Sequence, residues 1–212
     1  MMDCYIYGLC ASDGCMKKCV RGKNVYYSES IELSEKQILE DISNELNLNI
    51  RNRSRVINNK VRRFYSITFP SHYFRGIEEF FRPGRIGIFD FFISLDENDK
   101  HNFIRGLFDG DGTVSEHPKS RENLRVGFSI NSKCTDILRI LDYLENTLQI
   151  KFSKYLDKRG NGSYYYSINS KSDVYKFYSY IYDSPKFFLK RKYNIFIEHG
   201  FPDLVTNLKI TS

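Results

Sequence analysis

Two aspartates, Asp13 and Asp111, stand 98 positions apart in segments that coincide at their key residues. Residues 6–15 read IYGLCASDGC and residues 104–113 read IRGLFDGDGT, so a Gly-Leu pair and an Asp-Gly pair fall in register with small residues between them. Each segment is apolar for about two helical turns before it reaches Asp-Gly. A carboxylate at a helix C-terminus faces the negative end of the dipole and costs roughly 0.3–1 kcal/mol, and two such ends side by side repel further. A divalent cation resolves both conflicts, because one or two carboxylates with phosphate oxygens and water are the donors that Mg²⁺ takes. A single Asp-Gly would be read as an ordinary turn. Its recurrence in matching surroundings singles these two out.

Each segment carries small residues at facing positions, Gly8 and Ala11 in one and Gly106 and Gly110 in the other, which predicts two helices whose backbones approach closely. The glycine after each aspartate is expected to stop its helix in the left-handed conformation. A hairpin then spans about 15–31, followed by a helix over about 35–48, with Ser34 and Gln37 as a capping box and Ile38, Leu39, Ile42 and Leu46 as its stripe. The second copy repeats this. In a hairpin over 113–130, Leu124, Val126, Phe128 and Ile130 alternate with Arg125, Gly127 and Ser129, and a helix over 134–148 carries Ile137, Leu138, Leu141, Leu144 and Leu148. Basic hairpins follow over 49–69 and 151–169, the latter turning at Arg159-Gly-Asn-Gly, then short helices over 73–81 and 173–182 and a last helix over 188–198. The chain is thus an α+β repeat, helix, hairpin, helix, hairpin, helix, with halves 1–95 and 101–212. The polar stretch 94–100 reads as the joint, the linker proper being 96–100.

The net charge of +6 is gathered rather than spread. Residues 46–77 hold Arg51, Arg53, Arg55, Lys60, Arg62, Arg63 and Arg75 and no acid, while 146–172 hold Lys151, Lys154, Lys158, Arg159 and Lys171 against Asp157. One such run is usually a solvated face, but two at matching places in a repeat point to a polyanionic partner. Arg51, Arg53 and Arg55 alternate along one strand and therefore share a face, which Arg62, Ser66 and Thr68 extend. A ribbon so armed suits a DNA major groove, with the division between base and phosphate contacts left open. The five cysteines form no CxxC pair and the four histidines share no ligand spacing, so a zinc site is not expected. No Walker lysine or Gly-rich nucleotide fingerprint is present. Without a signal core, presequence or membrane-length apolar stretch, the protein is expected to act where it is made, in a prokaryotic or phage-infected cytoplasm or in an organelle that encodes it.

Residues 6–14 and 104–112 resemble the two motifs of the LAGLIDADG homing endonucleases. The second, Gly106-Leu107-Phe108-Asp109-Gly110-Asp111-Gly112, is close to the family pattern, and the first is looser, with Cys10, Ala11 and Ser12 before Asp13. The likeness extends to Phe188-Leu189-Lys190-Arg191-Lys192-Tyr193, similar to the basic segment that ends a lobe in that family. The resemblance implies two pseudo-symmetric αββαββα lobes, motif helices packed at their interface, and saddle-shaped antiparallel sheets on DNA. It implies a monomer that hydrolyses both strands of a long pseudo-palindromic double-stranded site and leaves short 3′ overhangs, using two or three Mg²⁺ ions at the lobe interface. In that picture Asp13 and Asp111 bind metal, helped by the main-chain carbonyls of Ser12 and Gly110. Lys192 organises water and offsets charge, and its first-lobe counterpart is Arg85 or else Arg82. The DNA-binding set is Arg51, Arg53, Arg55, Lys60, Arg62, Arg63, Arg125, Lys151, Lys154, Lys158 and Arg159. The unequal motifs predict unequal cutting of the two strands. The alternative is a catalytically silent or bifunctional binder, either an RNA maturase acting on intron RNA or a DNA-binding regulator. Retention of both aspartates favours cutting, and an ending in Lys209-Ile210-Thr211-Ser212 disfavours an intein.

Overall fold

The computed structural model describes residues 2–117, 120–157 and 162–201, and it runs twice through one order of elements. The first lobe comprises α1 (Cys4–Asp13), β1 (Gly14–Arg21), β2 (Asn24–Leu33), α2 (Lys36–Leu46), β3 (Ile50–Ile57), β4 (Lys60–Phe69), two 3₁₀ turns (Ser71–Phe74 and Glu78–Phe81) and α3 (Ile88–Ile93). The second comprises α4 (Glu97–Asp111), β5 (Gly112–His117), β6 (Ser120–Asn131), α5 (Thr135–Leu148), β7 (Ser153–Asp157), β8 (Ser163–Ile168), α6 (Lys171–Ile181) and α7 (Lys190–Glu198). Each lobe has a four-stranded antiparallel sheet, β1-β2-β4-β3 and β5-β6-β8-β7. No helix among the described residues is long and apolar enough to cross a membrane.

Residues 4–11 of α1 are all buried, which is why its sequence lacks the one-sided pattern of a surface helix. It lies against α4 across two glycines that face each other's backbone. A Cβ at Gly8 would collide with the Phe103 carbonyl, and one at Gly106 with the Tyr5 carbonyl. The close approach expected from small residues is therefore present and reciprocal. Around this pair the inward faces of both sheets, with Ile31, Ile67 and Phe69 on one side and Val126, Phe128 and Ile168 on the other, join a single continuous core.

Four local expectations are corrected. Residues 96–100 are no linker: Asp96 caps α4 by accepting the Asp99 N–H at 2.8 Å, and Glu97 and Asp99 occupy the first turn. The acids that break the apolar pattern are a helix start. The capping box at Ser34 and Gln37 is absent, because Glu35 is the N-cap without a side-chain bond and Gln37 instead donates to Asp41 at 2.9 Å. Residues 73–81 do not form one helix but parts of two 3₁₀ turns separated near Gly76, whose φ is +85°. Finally, Gly14 and Gly112 are extended, with φ of −74° and −81°, and lead straight into β1 and β5. Glycine is required there for space, since a Cβ at Gly14 would strike Glu29 Oε1 and the Cys10 carbonyl, and one at Gly112 would strike Phe108.

Candidate active site

The packing of α1 on α4 carries Asp13 and Asp111 to the same end of the lobe interface, where Asp13 is open to solvent and Asp111 half-buried. Asp13 reaches across to the other lobe, as a Cβ at Gly110 would sit 3.1 Å from its Oδ2. Both carboxyls are raised from the ordinary aspartate value. For Asp111, partial burial and then repulsion by Asp13 push the value up to about 6, against the pull of Lys192 and Arg85. Asp13 is raised by its crowded surroundings, with Lys192 opposing. A cavity of about 450 Å³ opens beside them, bounded by Ser12, Cys15 and Arg85 from the first lobe and Asp111, Ser129 and Asn131 from the second.

A buried basic side chain ties down each helix end. Lys192, at the start of α7 and 2% exposed, donates to the carbonyls of Phe108 at 2.6 Å, Asp109 at 2.7 Å and Gly112 at 2.5 Å. Arg85, 8% exposed, donates to Cys10 at 3.1 Å, Ala11 at 2.9 Å and Gly14 at 2.7 Å, the three carbonyls that stand 98 positions earlier. Arg85 is thus placed in the first lobe as Lys192 is in the second. Arg82 lies elsewhere, with its guanidinium 4.5 Å from the Tyr27 ring centre. Neither basic group takes the carbonyls of Ser12 or Gly110. All three ammonium hydrogens of Lys192 are committed, so its geometry is that of a clamp on the helix end rather than of a free donor to water. Burial lowers its pKa to about 8, with Asp109 opposing. Arg85 holds its place from a loop with φ of +93° at Gly84, +54° at Arg85 itself and +83° at Gly87. A left-handed arginine persists only where its surroundings hold it, and here the Gly87 N–H is anchored on Asp136 Oδ2 at 2.6 Å, across the lobe boundary.

The expected DNA-binding residues separate by face. Arg51, Arg53 and Arg55 pair with Ser66, Phe64 and Arg62 and are exposed on the outward face of the first sheet, and Lys60 shares that face by strand parity. Glu32, which the basic pattern did not reveal, sits among them and pairs with Arg55 at 2.6 Å and Arg53 at 3.7 Å. Arg63 is on the opposite face by the same parity and is not brought to the others. In the second sheet Arg125 points outward, bonded to Ser167 at 3.3 Å and 5.1 Å from the Tyr165 ring centre. Lys154 turns the other way, to Asp142 at 2.8 Å and Glu145 at 2.5 Å on α5, so its charge is spent within the fold. Lys151 is exposed ahead of β7. Lys158 and Arg159 lie outside the described residues.

A family profile described as a LAGLIDADG-like domain matches residues 98–182. Among solved structures, the chain is similar to the homing endonuclease I-WcaI bound to its DNA recognition sequence, with TM-score 0.67 and 15% identity over 91% of this chain and 84% of that one. It is also similar to I-DmoI in complex with DNA and Ca, with TM-score 0.59 and 18% identity over 91% and 95%. A third is the LAGLIDADG meganuclease I-AabMI bound to uncleaved DNA, with TM-score 0.56 and 14% identity over 100% and 92%. A search of curated proteins by sequence finds no match. The second half of the chain thus matches a LAGLIDADG-like domain, and the chain as a whole shares the fold of these solved structures.

Two acids near α1 and α4 escaped the sequence reading. Asp109, 2% exposed, accepts the Tyr5 hydroxyl and the Leu189 N–H, each at 2.8 Å, and so links α1, α4 and the approach to α7. Burial pushes it up to about 6 despite the pull of Lys192. Glu29, fully buried on β2, has no hydrogen-bond partner for either oxygen among the described residues. Its signal was legible in retrospect: Glu29 shares a strand face with Ile31 and Leu33, an acid in a core phase.

Proposed function

We propose that the protein is a divalent-metal-dependent DNA endonuclease that acts as a monomer and cuts both strands of a long double-stranded site, leaving short 3′ overhangs. The observation that carries this reading is the placement of Asp13 and Asp111 together at the ends of two abutting helices, between two outward sheet faces of which one is strongly basic. The donor set fits Mg²⁺. Two carboxylates repel each other, the carbonyls of Ser12 and Gly110 are left out of the basic clamps, and no cluster of three or more His, Cys, Asp or Glu forms a cage among the described residues. Hard ions that keep several waters and take phosphate oxygens need no such cage. When bound, such an ion would polarise the scissile phosphate and supply hydroxide at neutral pH.

The chain's own residues bind the duplex through Arg51, Arg53, Arg55, Lys60 and Arg62 on one sheet and Arg125 on the other. Its clamps hold the two aspartates in place while water is activated. The neighbours named above were crystallised with DNA, and others of I-DmoI with Mn or Mg, which supports DNA and divalent metal; nothing favours intron RNA. The test is cleavage of a randomised-site DNA library in Mg²⁺ by the wild type, Asp13→Asn and Asp111→Asn. Both variants should bind selected sites in Ca²⁺ with unchanged affinity and fail to make double-strand breaks. Robust double-strand cutting by both would sink the assignment.

A further inference from the structure

A carboxylic acid buried in the core-facing side of a sheet, with neither oxygen hydrogen-bonded, is unfavourable unless something nearby needs it. Glu29 is such a group, and the repeat shows what a purely structural residue would be. Gly14 pairs with Ile31 in the first sheet and Gly112 with Phe128 in the second, so two positions earlier Glu29 corresponds to Val126. Both are fully buried, and Glu29 faces Phe69 where Val126 faces Ile168. Valine fits this place, yet the first lobe has an acid.

The neighbours of Glu29 explain the difference. Its Oε1 abuts Gly14, whose carbonyl accepts from Arg85 at 2.7 Å, so the acid and the guanidinium bracket the peptide that follows Asp13. Arg85 gives its donors to five carbonyls, those of Cys10, Ala11, Gly14, Phe81 and Arg82, and among the described residues meets no carboxylate by hydrogen bond. Glu29 is the buried acid beside it: burial pushes its carboxyl up to about 8, with Arg85 pulling the other way. In the second lobe Lys192 has the same task and a different counter-acid, Asp109 on the helix. The position matching Asp109 in the first lobe is Ala11, and the position matching Glu29 in the second is Val126. Each helix end therefore keeps one buried cation and one buried acid, but the acid has moved from helix to strand.

Resting on the proposed nuclease reading, we infer that Glu29 is a positioning residue for Asp13: together with Arg85 it fixes the Asp13–Gly14 end of α1 and so governs cleavage of one strand only. The experiment follows each end-labelled strand of a cleavable duplex in single turnovers, together with hydrogen exchange at the Gly14 amide, which bonds to the Cys10 carbonyl, and at Gly112, which bonds to Phe108. Glu29→Val should slow one strand at least tenfold, leave the other and Ca²⁺-dependent DNA affinity within twofold, and cut Gly14 protection at least tenfold with Gly112 unchanged. Glu29→Gln, which keeps the packing if the valine variant fails to fold, should show the same strand bias. Adding Ala11→Asp to Glu29→Val, which restores an acid where the second lobe carries it, should bring the strand ratio back to within threefold of wild type. Equal slowing of both strands, unchanged rates, or an undisturbed Gly14 amide would overturn the inference. A wild type that cuts nothing would refute the nuclease reading instead, while the amide measurement would still decide the role of Glu29.

Discussion

Gly106→Ala adds one methyl group where α4 meets α1, and the structure sets how much it should cost. The new carbon would collide with the Tyr5 carbonyl and approach the Leu9 amide, both backbone atoms that no side-chain rotation can clear. Overpacking a tight core typically costs about 1–3 kcal/mol, and rigid neighbours place this site toward the upper end, about 2–3 kcal/mol. For a chain of this size each kcal/mol lowers the melting temperature by about 2–4 °C, so a fall of about 4–12 °C should be seen by calorimetry in metal-free buffer. Gly8→Ala meets the mirror obstacle, the Phe103 carbonyl and Leu107 amide, and should cost as much. The double variant should cost clearly less than the sum, because one separation of the helices relieves both collisions. Cleavage should fall more than DNA affinity, since parting the helices moves the two carboxylates. A melting temperature within 1 °C of wild type, or strictly additive losses, would refute the reciprocal contact.

Other outcomes follow from the same geometry. The Asp111 carboxyl, raised to about 6, binds its proton more readily folded than unfolded; its stabilising effect is therefore complete below about pH 4 and lost as pH rises through 6. Metal-free Asp111→Asn should accordingly melt above wild type at pH 7.5, with the gap closing toward pH 4, and a wild type that is the more stable at pH 7.5 would contradict this. Replacing Arg51, Arg53 and Arg55 with alanine should reduce the slope of log affinity against log salt by about 1–3, whereas Glu32→Gln should tighten binding by releasing Arg53 and Arg55; titrations at several salt concentrations test both. Lys192→Met strands three carbonyls on α4 and its extension and should lower stability by about 3 kcal/mol or more in urea unfolding.

The repeat, the motif helices and the four hairpins were legible because they rest on local signals: small residues in helical phase, alternating aliphatics and a copied Asp-Gly. Properties decided by an unseen neighbour were not. Lys154 reads as part of a basic run, but its strand phase directs it to Asp142 and Glu145, acids from a helix nine to twelve positions away. Arg85 was one of two candidates because a left-handed arginine between glycines leaves no sequence trace of where its guanidinium points. The acids at 96–99 look the same in a linker and in the first turn of a helix, and only the Asp96 cap separates them. The glycines after Asp13 and Asp111 read as left-handed helix stops, whereas both are extended and it is steric room rather than positive φ that demands them.

The bond from the Tyr5 hydroxyl to Asp109 joins unlike partners across a nearly two-fold interface. By the repeat, the counterpart of Tyr5 is Phe103 and that of Asp109 is Ala11, so a dimer of second lobes would bury two acids with no hydroxyl to donate to either, and a dimer of first lobes would offer two hydroxyls with no acid to accept from them. The halves are therefore no longer interchangeable modules. Any chimera that joins one of them to a foreign lobe inherits this mismatch, and the exchange must carry Tyr5 together with Asp109 or replace both.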